Sequence, residues 1–81
     1  MLRRFQLRRK EDETGVSGEG VVALGCRFPS GRCVIEWVAG DASSVAIYDS
    51  MPDLESIHGH GGKTVVEWLD QPPRAKATIN I

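Results

Sequence analysis

The sequence predicts a mainly β (α+β) fold: a small, strongly bent antiparallel sheet or partly open barrel of 5–6 strands, with one short helix at about residues 51–58. Three observations carry this. Several short runs place an apolar residue at every second position, the period of a strand with one buried face. Turn-forming clusters rich in glycine, proline and serine separate those runs. Only one stretch, "SMPDLESIHG", carries helix start and stop signals.

The first run is "RRFQLRR", with Phe5 and Leu7 on one face and Arg4, Gln6 and Arg8 on the other. Charge and then glycine follow in "KEDETGVSGEG", so residues 9–18 read as a mobile loop. "VVALGCRF-PSG-RCVIEWV" is a hairpin by composition. A two-residue loop at Ser30-Gly31 sets Phe28 opposite Cys33 and Cys26 opposite Ile35. Val22, Leu24, Cys26, Phe28, Cys33, Ile35 and Trp37 then share one apolar face. Arg27, Arg32 and Glu36 fall on the other, among Val21, Ala23, Val34 and Val38, and that partly apolar face calls for a cover. The same pairing leaves the two cysteines diagonal, with Cα atoms about 7–8 Å apart, so buried free thiols are expected.

"VAIYD" is a third run of strand formers after the loop "AGDASS". In the helical stretch Ser50 caps, Pro52 sits in the first turn, Asp53 lies three residues past the cap, and Gly59 ends the helix in the left-handed conformation. "KTVVEWLD" is a strand again, and residues 71–81 form a tail or an edge strand through Ala77, Ile79 and Ile81. One echo stands out. "GRCVIEWV" and "GKTVVEWL" repeat G-[RK]-x-V-[IV]-E-W-[VL] at an offset of 31 residues, which makes Trp37 and Trp68 the two large anchors of one core.

All of this fits a single domain, 1–81. The chain is 41% hydrophobic and 26% charged with a formal net charge of −1. No apolar run reaches the roughly 18–20 residues of a membrane span, and no apolar signal-peptide core follows the basic N-terminus. A cytoplasmic location is the expectation.

Candidate sites are few. His58 and His60, at i and i+2 in "IHGHGG", are weak metal candidates, because no further ligands fall at metal-binding spacing. An imidazole bonded at the helix end is the simpler reading. "GHGGKT" also differs from a phosphate loop, since it follows a helix and precedes a strand. No nucleophile–base pairing is set by spacing, so no catalytic residue, cofactor or enzyme activity is expected. Arg3, Arg4, Arg8, Arg9 and Lys10 are half of the ten cations and form a strip able to follow a phosphate backbone. The acids "EDE" follow at once, and charged edge strands also serve to prevent aggregation.

The combination "DETGVSGEGVVALGCRFPSGRCVIEW … YDSMPDLESIHGHGGKTVVEWLD" resembles a set of small proteins of actinobacteria, haloarchaea and phages, marked by VSGxG, a hairpin ending in Trp, IHGHxG and WLD. That resemblance spans residues 12–70 and implies a cytoplasmic accessory protein of a phage or prophage, with no particular activity attached.

Together these readings give a non-enzymatic binding protein acting on a host or partner protein, or on itself as a homodimer. Val34, Val38, Leu69, His58 and His60 are the contact candidates. The alternative is nucleic-acid binding through the basic first strand.

Overall fold

The computed structural model describes residues 1–10, 20–40 and 43–72, the His60 side chain aside. The expected loop residues 11–18 and the tail from 73 onward, with Ala77, Ile79 and Ile81, lie outside that range. Five strands form one open antiparallel sheet: β1 (Arg3–Arg9), β2 (Gly20–Arg27), β3 (Cys33–Trp37), β4 (Val45–Tyr48) and β5 (Thr64–Trp68). Their order is β4-β3-β2-β1-β5. Among the described residues the edges are β4 and β5, and the sheet they bound is open rather than closed into a barrel. Arg9, which the sequence reading gave to the loop, ends β1 and is buried.

One helix, α1 (Met51–His58), lies across one face and touches both edge strands. Beneath it Phe5, Leu7, Val22, Ala23, Cys33 and Ile35, with Leu54 of the helix itself, are at most 1% exposed. Trp37, Tyr48, Met51, Val66 and Trp68 pack around them. Both tryptophans therefore face the core, as the repeated motif predicts.

The hairpin corrects the sequence reading by one residue. Its loop is Pro29-Ser30-Gly31: the Gly31 amide donates to the Phe28 carbonyl at 2.9 Å, and the Phe28 amide to Arg32 at 2.8 Å. Gly31 adopts φ 100°, the positive angle such a three-residue loop needs at its last position. Arg27 thus faces Cys33, Cys26 faces Val34, and Gly25 faces Ile35. A one-residue slip exchanges the faces of a strand. Leu24, Cys26 and Phe28, expected in the core, therefore lie on the uncovered face, and Cys33 alone of the thiols is buried.

Gly25 supplies the physical reason. It occupies a covered-face position between Phe5 and Ile35. A Cβ there would stand 2.8 Å from the Phe5 ring and 2.9 Å from Ile35 Cγ2. The bare glycine admits the aromatic ring that fills the centre of the sheet. Nearer the strand start the pairing shifts: Leu7 faces Ala23 while Arg8 faces Val21. The extra residue, Val22, is a bulge that turns both Val22 and Ala23 inward.

The helix start matches expectation, with Ser50 Oγ accepting from the Asp53 amide at 3.2 Å. Its end does not. Gly59 stays right-handed at φ −71° because its amide still donates to the Glu55 carbonyl. Reversal is made by Gly61 and Gly62, both at positive φ, within the short turn His60–Gly62.

Candidate protein-contact surface

Strand alternation fills the face opposite α1 from both halves of the sheet, and the halves differ in chemistry. On β2, β3 and β4 three cross-strand rows are visible. Cys26, Val34 and Ile47 form the central row; Leu24, Glu36 and Val45 form the next. On the turn side Phe28 faces Arg32. Ile47 is 72% exposed and Val45 59%, with Leu24 and Phe28 also exposed. A groove of about 580 Å³ runs between Phe28, Pro29, Ser30, Arg32, Val34 and Ile47. A second groove lies on the other side of Val34, against Leu24 and Val45. Val34 is thus at the centre of this surface. Val38, one residue past β3, is exposed at its margin; Leu69, one past β5, is exposed away from it, beside Arg4 across β1.

The half built from β1 and β5 is polar and internally paired. Glu67 accepts from Gln6 Nε2 at 2.8 Å and from Arg8 Nε at 2.9 Å, and those hydrogen bonds hold its carboxyl below the usual glutamate range. Asp70 takes the Arg4 guanidinium at 2.8 Å and the Arg4 amide at 2.8 Å. These bonds hold its carboxyl at about 2 and raise the Arg4 guanidinium in turn. Arg3 stacks 3.7 Å from the centre of the Trp68 ring. Arg9, 6% exposed, reaches Thr64 Oγ1 at 3.3 Å on the covered face. Four of the five expected nucleic-acid residues, Arg3, Arg4, Arg8 and Arg9, thus have partners within the chain. The fifth, Lys10, is exposed, and its amide bonds the Lys63 carbonyl.

Of the two histidines, only the His58 side chain lies within the described residues. The His58 ring meets Trp37 at 5.0 Å and Tyr48 at 5.5 Å, both edge-on, and its Nε2 bonds the Tyr48 hydroxyl. Burial pushes the Tyr48 phenol up. His58 is therefore a pin between α1, β3 and β4. Among the described residues no group of three or more histidine, cysteine or acidic side chains is placed to hold a metal. Cys33 lies under the helix and burial raises its thiol.

The model of the Acb5 phage protein family matches residues 2–70. The chain belongs to the Acb5 phage protein family. The matched span ends at Asp70, the residue that clamps Arg4, so the Acb5 region contains all five described strands and α1. It supports the phage part of the expected resemblance. No curated protein and no solved structure matches the chain. Among the described residues no helix is long and apolar enough to cross a membrane.

Sequence reasoning missed Leu24, Cys26 and Phe28 as members of the Acb5 chain's open face. The available signal was Gly25: a glycine inside a strand marks close approach by a neighbour, which puts Gly25 inward and both adjacent residues outward.

Proposed function

We propose that this chain is a small phage accessory protein without enzymatic activity, acting in the cytoplasm by contact with another protein through its open β2–β4 face. The observation that carries the reading is the chemistry of that face. Val34, Val45, Ile47, Leu24 and Phe28 form a continuous apolar surface, whereas isolated exposed apolar residues would need no explanation. The paired state of Arg3, Arg4, Arg8 and Arg9 favours protein over nucleic acid as the partner, because bound guanidiniums must first leave Asp70, Glu67, Thr64 or the Trp68 ring.

The test compares wild-type protein with Ile47→Asp and with Arg4→Ala/Arg8→Ala in capture from infected host cells and in titration with DNA and RNA at low salt. Loss of a protein partner in Ile47→Asp alone is the expected result. Tight, steeply salt-dependent nucleic-acid binding that the arginine variant abolishes would replace this reading with the alternative.

A further inference from the structure

We propose that the occupant of the open face is a second copy of this chain, packed face to face about a two-fold axis through Val34. The inference rests on the protein-contact reading and names the partner. An isologous interface requires a patch that complements itself. Along β3 and the residue before it the open face reads Arg32, Val34, Glu36: a cation, held only loosely by the exposed Asp49 at 3.8 Å, and an anion on either side of an apolar centre. Stacking β3 antiparallel on its own copy, with the axis at Val34, sets each Arg32 against the other copy's Glu36.

The neighbouring strands obey the same operation. On β2 the axis passes by Cys26, which faces Val34, and exchanges the exposed Leu24 with the exposed Phe28. On β4 it passes by Ile47. The two grooves that meet at Val34 exchange as well, so each lies over the other copy's counterpart and the apolar side chains of both copies line one shared space. Across β1 and β5 the charges are already neutralised within the chain, so like charges brought near the axis meet as ion pairs. Facing sheets pack about 10 Å apart with strands turned by roughly 30°. Asp49 is set towards a valine by this arrangement, but it lies at the edge, where it stays in water.

Light scattering on the full chain tests this. Wild type is expected at twice the 8.9 kDa chain mass at micromolar concentration. Arg32→Glu and Glu36→Arg should each weaken association about tenfold or more, and the double exchange should restore it. Cys26 gives a second readout: a thiol cross-linker of matching span should join two wild-type chains and fail with Cys26→Ala. A monomer at every concentration, or a double exchange no better than the singles, would overturn the proposal. A monomer that still loses a host protein on Ile47→Asp would overturn only the second copy and leave the contact reading standing.

Discussion

Strands β3 and β5 carry nearly the same words, "CVIEW" and "TVVEW", yet they do different work. Both turn Trp toward α1 and Glu to the opposite face. β3 lies inside the sheet between β2 and β4, whereas β5 is an edge among the described residues. Glu67 is held by Gln6 and Arg8; Glu36 has no ion-pair partner among the described residues. Trp68 meets Phe5 edge-on at 5.3 Å and carries Arg3 on its ring, while Trp37 packs on His58. Local sequence sets the alternation, and the neighbouring strand sets the purpose. Beside arginine-rich β1 the motif seals an edge; beside β2 and β4 it leaves an apolar face with a charge to offer.

Four measurements bear on that contrast. The largest effect is expected from Phe5→Ala, which removes the ring filling the space above Gly25 and under Trp68. Unfolding in urea should show a loss of about 3–5 kcal/mol. A loss below 1 kcal/mol would mean that β5 does not hang on this ring. Next, Gly31→Ala strains the positive-φ turn that sets the β2–β3 register, for about 1–2 kcal/mol in the same assay. Arg3→Ala should cost about 0.5–1 kcal/mol through the Trp68 stack and leave the Trp37 environment unchanged by fluorescence.

The smallest effect concerns acid. The folded-state values of Asp70 and Glu67 lie below their ordinary ones, so their contribution is complete above the ordinary aspartate and glutamate values of 3.8 and 4.5. For Asp70 it is lost as pH falls from there through about 2. Arg4→Ala should flatten the Asp70 part of that profile, and added salt should shrink it, since both partners sit at the surface.

Much of the architecture was legible. The period-2 runs located all five strands, and Ser50, Pro52 and Asp53 located the helix, because both signals are local. What escaped was relational. Whether the hairpin loop takes two or three residues turns on Gly31 and on the ring of Phe5, twenty residues before Gly25 in the chain, and strand periodicity says nothing of either. The left-handed turn moved from Gly59 to Gly61 and Gly62 because three glycines within four residues offer the same conformational freedom. For the site, the half-buried Val34 and the exposed Val38 and Leu69 were legible as apolar residues outside the core. Leu24, Cys26 and Phe28 were not, since one residue of register decides their face. The arginines' partners, Asp70 and Glu67, lie some sixty residues away and come from strand pairing alone.

That single residue of register places the apolar half of the open face where a partner can reach it, and the two thiols report it directly. Folded protein at high dilution should take up one equivalent of a small thiol reagent, mapped to Cys26, with Cys33 reacting only on unfolding. Two protected thiols, or Cys33 labelled as fast as Cys26, would contradict the account.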